Sequence, residues 1–178
     1  MIIPSNVFAT RNYLPLCMNE SEQSRLLDVC DELIQNQKTL LLASRSADGN
    51  PAISYAPYVR AAGIFYIFVS HLAKHTQNLL CVPLASVLFI ESETAADNLF
   101  ARKRLTFDCQ VMEIDRGDPV FEAILSLMTE QFGNTVAVLR GLADFHLLAL
   151  KPESGQLIAG FGKAFAIDAE GRLQPHKN

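Results

Sequence analysis

A series of short apolar, β-prone segments, each bounded by turn residues, constrains this chain more than any other feature. The sharpest is Ile64-Phe65-Tyr66-Ile67-Phe68-Val69, aromatic or β-branched at every position and preceded by Gly63. Before it stand Thr39-Leu40-Leu41-Leu42-Ala43-Ser44 and Ala52 to Val59, with the hairpin pair Asp48-Gly49 between them. After it come Ala85 to Glu91 and Arg104 to Ile114. Phe145 to Leu150 and Leu157 to Ile167 close the series, and Pro152-Glu153-Ser154-Gly155 between them reads as a turn.

Helical periodicity appears only between these segments. Asn19 or Ser21 caps a first helix, with Glu20 and Glu22 at its positive end. Its stripe is Leu26, Leu27, Val29, Cys30, Leu33 and Ile34. A short helix is expected between Ser70 and Cys81, stopped near Pro83, and a helical turn or two between Thr94 and Phe100. Asp118-Pro119 opens another helix that carries Val120, Phe121, Ile124, Leu125, Met128 and Phe132 and ends at Gly133. Residues 1–18 read as an irregular arm and 169–178 as a short tail, around one domain spanning 1–178. Antiparallel strands in series predict a mainly-β α+β domain, a barrel with flanking helices. A doubly wound parallel sheet is excluded, since strands and helices do not alternate regularly and no GxGxxG or Walker sequence occurs.

Composition narrows the function classes. Apolar residues are 49% and charged residues 19% of 178, enough for a sizeable core. A net charge of −4 argues against a nucleic-acid footprint. No stretch reaches membrane-spanning length, and no secretory core opens the chain. Cys17, Cys30, Cys81 and Cys109 form no CxxC pair, so a reducing cytoplasm and small core thiols are expected.

Two segments suggest a ligand on chemical grounds. Ser70-His71-Leu72-Ala73-Lys74-His75 is a strand-to-helix turn whose amides, Lys74 and His75 suit an anion; the alternative is a solvated helix start capped by Ser70. Strand alternation would put Arg102 and Arg104 on one face and Lys103 on the other, a carboxylate or phosphate clamp or else a charged strand edge. His71 and His75 at i, i+4 lack a third metal ligand, and His146 reads as a satisfied core or interface histidine.

Together Ile53-Ser54-Tyr55-Ala56-Pro57-Tyr58-Val59, Ser70-His71-Leu72-Ala73-Lys74-His75-Thr76-Gln77-Asn78-Leu79 and Ala101-Arg102-Lys103-Arg104-Leu105-Thr106-Phe107 carry a resemblance. Lys38-Thr39-Leu40 precedes them and Gly160-Phe161-Gly162-Lys163-Ala164-Phe165 follows in order. From about residue 22 to 168 the chain resembles the heme-utilisation (HutZ/HugZ) branch of the FMN-binding split-barrel superfamily, which includes pyridoxamine 5′-phosphate oxidase.

That resemblance implies a homodimer with a small-molecule cofactor, FMN or heme, held between two barrels. It implies heme degradation, storage or delivery, or in the flavin case an FMN-dependent oxidoreductase. It places Thr39 near the ligand and Ser54, Tyr55 and Tyr58 beside a flavin ring, with Ser70, His71, Lys74, His75, Arg102 and Arg104 around anionic groups. Asp144 matches an acidic position that supports an iron-ligating histidine. His176 stands where that histidine is expected, although Arg172-Leu173-Gln174-Pro175-His176 lacks the Glu-Gly-His context of the relatives. No residue is singled out as a general base.

Overall fold

The computed structural model describes residues 19–168 and 171–175, so the arm at 1–18 and His176 lie outside the described residues. The chain runs α1 (Glu20–Gln35), β1 (Thr39–Arg45), β2 (Pro51–Ala61), β3 (Ile64–Ser70), α2 (Lys74–Cys81) and β4 (Leu84–Ile90). A single 3-10 turn, Leu99–Ala101, leads to β5 (Arg104–Ile114), α3 (Pro119–Phe132), α4 (Asn134–Arg140), β6 (Phe145–Ile158), β7 (Ala164–Ile167) and β8 (Leu173–Pro175).

Strands pair in the order β3-β2-β1-β4-β5-β6, and β6 returns to β3. All these pairs are antiparallel, so six strands close a barrel, and β7 and β8 extend it from the far half of β6. Closure removes the sheet edges of a flat sheet. Period-two alternation fills the interior: Leu40 and Leu42 from β1, Val87 and Phe89 from β4, and Leu105, Phe107, Cys109 and Val111 from β5 are all buried.

Helix ends obey local chemistry. Asn19 caps α1, its side chain accepting from the Glu22 amide at 2.8 Å. Leu26, Cys30, Leu33 and Ile34 of α1 join the barrel core. Such burial contributes roughly 1.5–3 kcal/mol for each large aliphatic side chain. Asp118 caps α3 with Pro119 at its first position. α3 packs Phe121, Ile124, Leu125 and Met128 on the outside of the barrel against Val59, Tyr66, Leu147 and Ala149.

Several expectations are corrected. The segment Pro152-Glu153-Ser154-Gly155 is no turn but part of β6. Asp108 pairs with Ser154 and Cys109 with Pro152, so Glu153 is an extra residue bulged out of the ladder. Pro152 is tolerated because a bulge needs no donor there. Residues 157–167 are two strands, not one, reversing at Gly160 (φ 135°) and Gly162 (φ 66°). Gly133 does end α3, but its φ of 74° turns the chain straight into α4, whose short Val-rich sequence carries too little periodicity to reveal it. Among the cysteines, Cys30 and Cys109 are buried but Cys81 is exposed. Within the expected tail, Leu173–Pro175 pairs as β8.

Candidate functional site

At the end of β3 the chain makes a polar turn against the loop that enters β6. The Ser70 hydroxyl donates to Asp144 Oδ2 at 2.7 Å and accepts from the Leu72 amide at 3.1 Å. The His71 amide donates to the Asp144 carbonyl at 2.7 Å, and Gln77 Nε2 donates to the His71 carbonyl at 3.0 Å. Arg116 holds the loop that carries Asp144, its guanidinium donating to the carbonyls of Arg140, Leu142 and Phe145. Three residues chosen from sequence, Ser70, His71 and Asp144, thus form one bonded unit, with Lys74 exposed beside them.

Two further groups join this rim. The His71 and His146 rings stand 5.4 Å apart at 45°. His146 Nδ1 lies 2.6 Å from Glu113 Oε1. An ionised carboxylate only accepts, so Nδ1 carries the proton and Nε2 of a neutral ring keeps its lone pair. Glu113 was not foreseen: 33 residues separate it from His146, and only the β5–β6 register brings the two together.

His71 and His75 do not share a helix face, since α2 begins at Lys74. His75 is half-buried; its Nε2 has no hydrogen-bond partner, and burial pushes its imidazole below the ordinary histidine range. Among the described residues no three His, Cys, Asp or Glu side chains are placed to chelate a bare metal ion.

The arginine clamp does not form. Arg102 precedes β5, so strand alternation does not govern it, and its guanidinium is turned onto the Glu91 carbonyl, with Glu93 3.6 Å away. Lys103 pairs with the Glu91 carboxylate at 3.8 Å. Arg104 does lie on β5, but at the end opposite the rim. Ten residue steps of strand separate it from Ile114, on the order of 30 Å. Within one protomer the two basic groups therefore serve different places.

The remaining candidates divide between two faces. Tyr58 points into the core, packed edge-on against Phe65 and Phe89, its hydroxyl bonded to the Ile34 carbonyl and its phenol pushed by burial to about 12. A flavin cannot stack on it there. Ser54 is half-buried, with its hydroxyl 3.5 Å from the Leu42 carbonyl. Thr39, Tyr55 and Arg104 share the outer side of the barrel away from α3, together with Leu41, Ile53 and Leu84. There Ile53 is 78% and Tyr55 65% exposed, an apolar face that none of the described residues covers. Two clefts of about 380 Å³ flank α1, one lined by Cys30, Arg60 and Lys151, the other by Glu32, Gln37 and Lys103. Neither touches the Ser70–Asp144 rim.

A closed antiparallel barrel with flanking helices and this polar rim define a split-barrel protein. The family model for pyridoxamine 5′-phosphate oxidase matches residues 26–159, and the chain belongs to that family. It is 40% identical over 151 residues to the heme oxygenase HutZ of Vibrio cholerae serotype O1, covering 85% of this chain and 86% of that protein. The crystal structure of HutZ, the heme storage protein from Vibrio cholerae, aligns with a TM-score of 0.66 at 35% identity, over 86% of this chain and 92% of that one. ChuZ of Campylobacter jejuni aligns with a TM-score of 0.76 at 29% identity, over 89% and 69%.

Proposed function

We propose that this chain is a heme-handling protein that holds heme between two copies of itself and degrades, stores or delivers it. The carrying observation is the 40% identity to HutZ along 85% of the chain. The rim residues suit such a ligand. Porphyrin supplies four nitrogens to iron, so one imidazole would complete a binding site where the described residues offer none for a bare ion. Lys74 offers a cation for a propionate, and Leu72, 85% exposed, an apolar contact. Bound heme would supply the iron chemistry; the protein's part is to ligate, orient and shield it.

The homodimer rests on the uncovered face around Ile53 and Tyr55, which a second barrel would bury. Two copies would also allow Arg104 of one to approach the rim of the other. His176 remains a candidate iron ligand from the chain end. The partners are thus a small-molecule cofactor and a second copy, not nucleic acid. No described helix is long and apolar enough to cross a membrane. The scattered cysteines, none in a CxxC pair, support a reducing cytoplasm as the location in this reading.

Family membership favours a second reading, an FMN-dependent oxidoreductase, in which Thr39, Tyr55 and Arg104 on the open face would meet the flavin. Titrating the purified protein separately with hemin and FMN decides between them. A saturable, sharp Soret band at one heme per protomer, with no tight FMN uptake, is the expected result. Tight FMN binding with only diffuse hemin uptake would replace the heme reading with the flavin one. With heme bound, loss of the Soret band on adding a reductant under oxygen separates degradation from storage.

A further inference from the structure

We infer that the cleft bounded by α1, the β2–β3 turn and the bulged part of β6 is a small-molecule site for a monocarboxylate carried on a compact apolar body. At about 380 Å³ it has the size of a small ligand pocket. It shares no residue with the Ser70–Asp144 rim, so the inference stands apart from the heme reading. Ile34, Phe65, Phe107 and Ile167 give it an apolar lining. Cys30 belongs to that lining as well. Burial, with the Asp31 charge beside it, pushes its thiol up to about 11, so it stays neutral and is no nucleophile.

Charge sets the polarity of the ligand. Two carboxylates line the cleft, and each already faces a guanidinium. Asp31 accepts from Arg60 at 3.2 Å, and Asp168 accepts from Arg172 at 2.8 Å. The Arg60 guanidinium carbon lies 5.8 Å from the centre of the Phe65 ring, and its further N–H groups have no partner among the described residues. Lys151 also lines the cleft, is exposed, and enters no ion pair among the described residues. Lys151 is therefore the uncompensated charge, set beside apolar surface. Two backbone features meet here too. Ala61 pairs with Ile64, so Ala62 and Gly63 make a two-residue turn, and Ala62 (φ 50°) is the only non-glycine with positive φ among the described residues. Across the cleft, Lys151 and Pro152 stand at the β6 bulge. Left-handed backbone at a non-glycine residue and strand bulges both recur where a site must aim a side chain. A purely structural alternative exists: the turn only closes a hairpin, and the cleft is a solvated groove beside the Arg60–Asp31 pair.

Backbone amide chemical shifts of the full, isotope-labelled chain, followed during titration with three probes, separate the two. The probes are phenylacetate, the neutral phenethyl alcohol and the cation phenethylamine. Phenylacetate should bind saturably and shift the amides of Ala62, Gly63 and Lys151. The alcohol should bind about threefold more weakly or worse, and the amine should not bind. Lys151→Glu, at an exposed position, should keep the fold and weaken phenylacetate binding by at least about threefold. Lys103→Gln, in the other cleft beside α1, should leave that binding unchanged. Hemin uptake should be the same in Lys151→Glu as in the unaltered chain. The proposal is overturned by equal affinity for acid and alcohol, by unchanged phenylacetate affinity in Lys151→Glu, by shifts confined to other residues, or by no saturable uptake of phenylacetate. Loss of hemin uptake in Lys151→Glu would assign the cleft to heme and overturn it equally.

Discussion

The Tyr58 hydroxyl donates to the Ile34 carbonyl at 2.7 Å, tying the middle of β2 to the last turn of α1. That carbonyl belongs to a helix end, where the last four C=O groups lack helical partners. Its bond from the Gln37 amide is long at 3.3 Å, and the Asn36 amide it also meets is shared with the Glu32 carbonyl. Tyr58→Phe keeps the ring contacts with Phe65 and Phe89 but leaves a buried acceptor poorly satisfied. It should destabilise the fold by about 1–3 kcal/mol. Urea unfolding measures this; a midpoint equal to that of the unaltered chain would show the bond to be dispensable.

The second prediction concerns the open face. Ile53 is the most exposed large apolar residue of β2. Ile53→Asp puts a carboxylate where a second copy would bury it unpaired, at a cost on the order of several kcal/mol. Sedimentation should show a dimer for the unaltered chain and a monomer for the variant. A variant that stays dimeric places the interface elsewhere.

Stability should also depend on pH through His75. Burial lowers its folded-state pKa, so the folded chain resists protonation and the unfolded chain does not. Well above pH ~6.5 the ring is neutral in both states and the contribution is complete. As pH falls below that value the unfolded chain binds the proton first, and stability is lost. Melting temperature followed from pH 8 down to pH 5 should drop less steeply in His75→Asn. Parallel curves would assign the acid sensitivity to other groups.

Gly155 sits in β6 against β5. A Cβ there would meet the Thr106 carbonyl oxygen and a Phe107 ring carbon, each at 2.7 Å. The ring can rotate, but the ladder oxygen cannot move without breaking the pairing. Gly155→Ala should cost about 1–3 kcal/mol and lower the melting temperature by roughly 2–10 °C. A neutral substitution would mean that the Glu153 bulge shifts freely to make room.

Most of the local structure was legible in the sequence. Asn19, Asp118-Pro119 and Gly133 mark helix ends because their side chains or φ angles act within a few residues. The strands from Thr39 to Val69 were visible in the same way, as short apolar, β-prone runs bounded by turn residues. At the candidate site, Ser70, His71 and Lys74 were readable as a turn suited to anions.

What the sequence could not determine is which distant groups meet. The 14-residue β6 reads as two strands and a turn until β5 is paired along its whole length, because a bulge looks locally like a reversal. Arg102 was read as a strand residue and is instead committed to Glu91 and Glu93. Ser70 meets Asp144, and Glu113 meets His146, only because β6 closes the barrel between β3 and β5. The sequence by itself determined the strands from Thr39 to Ile114, the caps and the family resemblance, all of which depend on neighbours in the chain. Tertiary structure decided barrel closure, the open apolar face and the histidine–carboxylate pair. Those depend on pairing between segments as far apart in the chain as Phe65 and Leu150, for which local periodicity carries no register.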